Sequence, residues 1–140
     1  MSFADHEELD PRLVSSLSAA GYKKPTYIQD KAIPAALSGK SMVIASEAGN
    51  GKTLAYLVPL MQRALEAKDA EAEAGTAGAR KNAPLAVVAV PGLELAAQVS
   101  KVLSLPSGQD LLGRAYSQLQ LDSSQVPVSN KLTEARVAIQ

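Results

Sequence analysis

Met42-Val43-Ile44-Ala45-Ser46-Glu47-Ala48-Gly49-Asn50-Gly51-Lys52-Thr53 is the stretch on which the fold turns. Its first four residues are a nearly continuous apolar run, the pattern of a short strand covered on both faces of a parallel sheet. After Thr53, the residues Leu54, Leu57, Val58, Met61 and Leu65 recur at helical spacing. The order is therefore strand, glycine-containing loop, helix. A second unit of the same kind follows. Leu85 to Val90 reads as another buried strand, Pro91-Gly92 ends it, and Leu93, Leu95, Ala96, Val99, Val102 and Leu103 mark the next helix. Two such units in succession predict an α/β fold, a mostly parallel sheet with flanking helices.

Working outward, Asp10-Pro11 opens a helix, since aspartate caps free N–H groups and proline suits the first helical position. Leu9, Leu13, Val14 and Leu17 give its apolar face, and Gly21 stops it. Thr26-Tyr27-Ile28-Gln29 is a capping box opening a second helix, with Ile28, Ala32, Ile33 and Leu37 facing inward, Pro34 bending it and Gly39 ending it. From Glu66 to Asn82 no apolar face remains and Gly75 and Gly78 interrupt, which predicts a solvated extension and flexible loop over about residues 66–82. Beyond Pro106, the residues Leu111, Leu112, Tyr116 and Leu119 suggest a helix, and Ala135 to Ile139 a last strand.

The 140 residues suffice for one domain. Fourteen Lys and Arg balance fourteen Asp and Glu, so no overall positive field draws in a phosphate backbone from a distance. The absence of cysteine excludes disulfides and thiolate metal sites, and the single histidine, His6, is expected to be solvated. No uncharged apolar run is long enough to cross a bilayer, so no membrane is expected as a partner. Asp5, Glu7, Glu8 and Asp10 make an acidic start unlike a secretory or organellar leader, and the expectation is an intracellular protein in cytoplasm, nucleus or organelle.

Phosphates need many N–H donors close together. A loop of small residues lets the backbone approach them, and the following helix offers its positive end. Gly49 and Gly51 supply that room, Lys52 has the reach and charge for the outer phosphates, and the Thr53 hydroxyl suits a magnesium shell. The strict motif places a glycine where this chain has Ser46. The plain alternative is a glycine turn before a helix that happens to begin with lysine, but the strand before and helix after are the context the phosphate reading requires.

Taken together these residues resemble the DEAD-box helicases. Gly21-Tyr22-Lys23-Lys24-Pro25-Thr26-Tyr27-Ile28-Gln29, with Phe3 upstream, is similar to the family's Q motif, spanning about residues 3–34. Residues 46–53 look like its motif I, and Pro91-Gly92-Leu93-Glu94-Leu95-Ala96 resembles motif Ia. The resemblance implies that residues 1–140 are part of the first RecA-like, ATP-binding lobe of an RNA helicase. It implies ATP and Mg2+ as cofactors, held by Ser46, Glu47, Ala48, Gly49, Asn50, Gly51, Lys52 and Thr53. Lys52 and Thr53 would be the catalytic side chains, and Thr53 the magnesium ligand. Gln29 would read the adenine edge, with Tyr22 and Phe3 lining the base pocket. A purely structural capping role for Gln29 stands beside that one, and both are compatible.

RNA would meet Gly92 and Glu94, but the family usually has Thr and Arg where this chain has Gly92 and Leu93. Losing that arginine removes a charge-assisted hydrogen bond worth about 1.5–3 kcal/mol, so weak RNA binding is expected. No Asp-Glu-Ala-Asp sequence occurs among the 140 residues. The expectation is an incomplete lobe that binds ATP, does not hydrolyse it alone, and leaves apolar strand surface uncovered where a second lobe or protein partner is missing. The competing readings are a different small P-loop NTPase or kinase, and a non-catalytic remnant that serves as a binding module.

Overall fold

The computed structural model describes residues 2–76, 86–103, 116–120 and 135–139. A 3-10 turn over Phe3–Asp5 leads into α1 (Pro11–Ala19), α2 (Tyr27–Leu37), α3 (Lys52–Glu73), β1 (Ala86–Val90), α4 (Leu93–Leu103), β2 (Tyr116–Gln120) and β3 (Ala135–Ile139). Both N-terminal helices begin where their caps predict. The Asp10 side chain accepts from the Arg12 N–H, and Thr26 and Gln29 form the reciprocal capping box. α2 runs through Pro34 to Leu37.

The core gathers around α3, whose Leu54, Leu57, Val58, Met61 and Leu65 pack with Leu13 and Leu17 of α1, Ile33 of α2, and Val88, Val90 and Val99 further on. Polar ties fix the outer helices to it. Buried Gln62 accepts from the Asp10 backbone N–H at 2.7 Å, Arg12 bridges Asp10 and Asp69, and Arg63 donates to the Leu37 carbonyl at the end of α2. The hydrogen bonds from Arg12 hold the Asp10 carboxyl below the usual carboxylate range despite its partial burial.

Four expectations need correction. The helix α3 continues through Glu66 to Glu73, because its Ala, Glu and Lys residues are strong helix formers even without an apolar face. Gly75 then ends it in a left-handed conformation, with the Thr76 N–H donating to the Glu71 carbonyl at 2.9 Å and the Gly75 N–H to Ala72 at 3.2 Å. The loop predicted beyond residue 76 lies outside the described residues as far as 85. Second, Tyr116 and Leu119 belong to a strand, not a helix. β3, further along the chain, supplies its backbone partners, and a spacing of three in so short a run cannot register them. Leu111 and Leu112 lie outside the described residues.

Third, the described sheet has the order β1-β3-β2 with both pairings antiparallel, Ala86 opposite Ile139 and Tyr116 also opposite Ile139. The class is α/β, but these strands make no adjacent parallel pair. β1 accordingly alternates, with Val88 and Val90 buried and Val87 and Ala89 exposed, where burial on both faces was expected. Fourth, Met42–Ala45 forms no strand, and Val43 is 94% exposed. An apolar run becomes a strand only when neighbours receive its N–H and C=O groups, and no described strand lies alongside it.

Burial therefore separates two apolar residues of similar chemistry. Leu57→Ala should cost about 2–5 kcal/mol, whereas Val43→Ala should change stability by less than about 0.5 kcal/mol. Equilibrium urea unfolding of both variants compares them, and equal losses would contradict the described core.

Candidate functional site

α3 begins at Lys52 with no side-chain cap. Its N-cap, Gly51, sits at φ 81°, ψ 23°. A helix start without a cap leaves its first N–H groups free and concentrates the positive end of the helix dipole there. Gly49 also has positive φ, 84°, so both glycines occupy the region that side chains disfavour. The Asn50 N–H turns back to the Glu47 carbonyl at 3.4 Å.

The Lys52 ammonium folds over this loop. Its Nζ donates to the Ser46 carbonyl at 2.6 Å and the Glu47 carbonyl at 2.8 Å, with the Ser46 hydroxyl at 3.4 Å. Among the described residues, this half-buried cation is held by neutral acceptors alone, which an anion entering the loop could replace with stronger charge-assisted bonds. Thr53 follows on the first turn. Burial pushes the phenol of Tyr56, one turn on, up from its ordinary range, an effect the Thr53 hydroxyl partly offsets.

The second helix start is fastened to the same loop. Gln29, only 3% exposed, accepts from the Thr26 N–H through Oε1 at 2.9 Å and donates through Nε2 to the Gly51 carbonyl at 2.9 Å. Thr26 Oγ1 donates to the Asn50 carbonyl at 2.9 Å. The Gly51 carbonyl also accepts the Ala55 N–H at 3.2 Å, so it serves α3 and Gln29 together. A methyl group added at Gly51 would collide with Gln29 Nε2 and press on Thr26 Oγ1. Glycine is required there both by backbone conformation and by the approach of α2.

The structure thus brings together Gln29 and the loop from Ser46 to Thr53, including Glu47, Ala48 and Asn50. Phe3 is 1% exposed and packs in the core, so no part of its ring faces open solvent. Tyr22 stays partly exposed at the end of α1, its N–H donating to the Leu17 carbonyl at 2.8 Å. Gly92 and Glu94 stand at the start of α4, where Glu94 is exposed. An apolar cleft of about 430 Å³ lies between α3 and β1, lined by Tyr56, Leu60, Val88, Val90, Pro91 and Leu95. It offers no charged group to a phosphate.

Two features escaped the sequence. The Thr26 and Gln29 bonds to the loop join residues more than twenty positions apart; the capping-box spacing and the likeness to the Q motif marked those residues but not their bonds to the loop. His6, expected to be solvated, is 7% exposed, wedged between Glu8 and Asp30, because the turn at Phe3 carries it inward. Among the described residues, no group of His, Asp and Glu is arranged to hold a metal ion, and no helix is long and apolar enough to cross a membrane.

The chain is α/β, and its glycine loop opens a helix under a lysine ammonium. The DEAD/DEAH box helicase family model matches residues 26–139, and the chain belongs to that family. It is 47% identical over 97 residues to the ATP-dependent RNA helicase DBP9 of Eremothecium gossypii, covering 69% of this chain and 16% of that protein. It is 44% identical over 91 residues to DEAD-box ATP-dependent RNA helicase 16 of Arabidopsis thaliana, covering 65% of this chain and 13% of that protein. Against DBP9 of Coccidioides immitis, identity is 38% over 120 residues, or 84% of this chain and 18% of that protein. The chain spans less than a fifth of the length of each of these relatives.

The contact between Gly51 and Gln29 sets an order between two substitutions. Gly51→Ala should lose more than about 1 kcal/mol of stability, from backbone strain and displacement of Gln29. Gly49→Ala, which meets no neighbour within 4 Å, bears only the strain and should lose less. Thermal melting of the two variants decides it, and an equal or larger loss for Gly49→Ala would remove the importance given to Gln29.

Proposed function

We infer that this chain is the ATP-binding part of a DEAD-box RNA helicase, the front portion of its first RecA-like lobe. The observation that carries the reading is the Lys52 ammonium poised over a loop whose two left-handed glycines precede an uncapped helix. Such a loop fits a polyphosphate: its glycines leave the backbone accessible, its free N–H groups are donors, and among the described residues its cation has carbonyl and hydroxyl acceptors to exchange. Residues 46–53 would hold the phosphates, with Lys52 on the outer ones and the Thr53 hydroxyl toward Mg2+. The metal, when bound, neutralises phosphate charge during phosphoryl transfer.

Gln29 is proposed as the adenine reader without giving up its bonds in the fold. Its amide has a second lone pair on Oε1 and a second hydrogen on Nε2, a donor and acceptor pair suited to the adenine edge. Tyr22, partly exposed, would touch the base directly, while Phe3 would support the pocket from within the core. The first turn of α4 offers backbone N–H groups near Gly92, but the Glu94 carboxylate beside them repels phosphates, so RNA contact here is proposed to be weak. ATP hydrolysis and RNA remodelling are proposed for the whole protein, with the acidic magnesium-binding motif and the second lobe supplied outside these 140 residues.

Isothermal titration of the chain with Mg2+ and nucleotide tests the reading. ATP should bind more tightly than GTP, and Lys52→Ala should weaken ATP binding at least about a hundredfold, the worth of two lost charge-assisted bonds. Equal affinity for ATP and GTP would remove Gln29 from the adenine role. An unchanged affinity in Lys52→Ala would overturn the phosphate-loop assignment.

A further inference from the structure

The fold uses the backbone of Asn50 and leaves its side chain idle. The Asn50 N–H reaches the Glu47 carbonyl at 3.4 Å, and the Asn50 carbonyl accepts from Thr26 Oγ1 at 2.9 Å. The side chain is exposed, and among the described residues its amide makes no hydrogen bond. Packing fixes the residue that follows. A methyl group at position 51 would collide with Gln29 Nε2, and the backbone there holds φ at 81°. Glycine must therefore come next, whatever residue stands at position 50.

An asparagine followed by glycine is open to attack on its own side chain, because no Cβ on the next residue shields the backbone nitrogen. Two features of this loop favour the reaction. The Gly51 N–H, at an uncapped helix start, has no acceptor among the described residues. The Thr26 hydroxyl donates to the carbonyl of the same peptide unit, which draws electron density away from the nitrogen and makes its N–H easier to ionise. Asn82 precedes Ala83 and Asn130 precedes Lys131, so Asn50 is the one asparagine of the chain that precedes glycine.

We propose that Asn50 is a self-modification site in the phosphate loop, converted to aspartate or isoaspartate while the loop is empty and protected while nucleotide is bound. The Gly51 nitrogen loses its proton to solvent and attacks Asn50 Cγ. A new C–N bond closes a five-membered imide, and the side-chain nitrogen takes up a proton and leaves as ammonia. Water then opens the imide at either carbonyl, returning a hydrogen to the nitrogen. The net change is asparagine plus water to a carboxylic acid plus ammonia, with no oxidation or reduction.

The protection and its consequence rest on the reading of the loop as an ATP site, whereas the conversion itself does not. A bound phosphate would accept the Gly51 N–H and hold the nitrogen away from attack. Aspartate sets a carboxylate among donors suited to phosphate. Isoaspartate also lengthens the backbone by one methylene just before Gly51, displacing the carbonyl to which Gln29 donates. A chain that stays without nucleotide thus loses the capacity to bind it.

Peptide mapping by mass spectrometry tests the conversion. The folded chain is incubated in mildly alkaline buffer beside a synthetic peptide of residues 46–53 that sets the unrestrained rate. Asn50 should gain one mass unit at a rate within about tenfold of the peptide's, a barrier difference under about 1.4 kcal/mol, while Asn82 and Asn130 stay intact. Slower conversion than that, or conversion no faster than at Asn82 and Asn130, would overturn the proposal whether or not nucleotide binds. With saturating Mg2+ and ATP, conversion at Asn50 should slow at least about fivefold, or about 1 kcal/mol, and Asn50→Asp should bind ATP at least about tenfold more weakly than the unconverted chain. If ATP binds the chain but neither protects Asn50 nor discriminates against Asn50→Asp, the link to the nucleotide site is wrong. If no form binds ATP, the ATP-site reading fails while the peptide map still decides the conversion.

Discussion

A single side-chain amide joins the two halves of the candidate site. Gln29 accepts from the Thr26 N–H and donates to the Gly51 carbonyl, so one residue closes the cap of α2 and fixes the residue that begins α3. Both bonds lie in a buried setting, where leaving either amide atom unpaired would cost about 1–3 kcal/mol. That cost makes the arrangement specific. α2 cannot shift along the loop without stranding a polar group, and the loop cannot open at Gly51 without releasing α2. The glycine at 51 is the complementary requirement, since its left-handed backbone and missing side chain let the amide approach.

α3 links this site to the rest of the molecule. Its first turn carries Lys52 and Thr53, and its next three turns supply Leu54, Leu57, Val58, Met61 and Leu65 to the core. The site is thereby built on the most buried helix, while the residues that meet a ligand lie at its open end. Such a division suits a phosphate loop, because the N–H groups must stay unpaired and accessible while their positions stay fixed. The same core receives Phe3, and through it the N-terminal segment that holds His6 against Asp30.

Much of this was legible in the sequence, for local reasons. The Asp10-Pro11 start, the Thr26–Gln29 capping box, the loop at residues 46–53, the strand at 86–90 and the strand at 135–139 each depend on neighbours in the chain or on a strong short-range pattern. The misreadings depended on distant partners. Met42–Ala45 has the composition of a strand but no described strand beside it, and Tyr116–Gln120 became a strand through pairing with β3. His6 looked like a polar residue in an acidic segment, and only the burial of Phe3 explains why it lies inside. At the candidate site, residue types and spacing singled out the loop, Lys52 and Thr53, which lie together at the start of α3. The bonds from Thr26 and Gln29 to Asn50 and Gly51 could not be read, because sequence separation hides which cap meets which loop.

On the proposed reading, the loop over which Lys52 is folded and the α2 turn bonded to it form one nucleotide site, which chemical-shift mapping of the chain titrated with ATP and Mg2+ checks. The largest changes are expected at the amides of Gly49, Gly51, Lys52 and Thr53 and at the Gln29 side chain, with the exposed end of α3 near Glu73 unaffected. Changes confined to another surface, or none at saturating nucleotide, would contradict it.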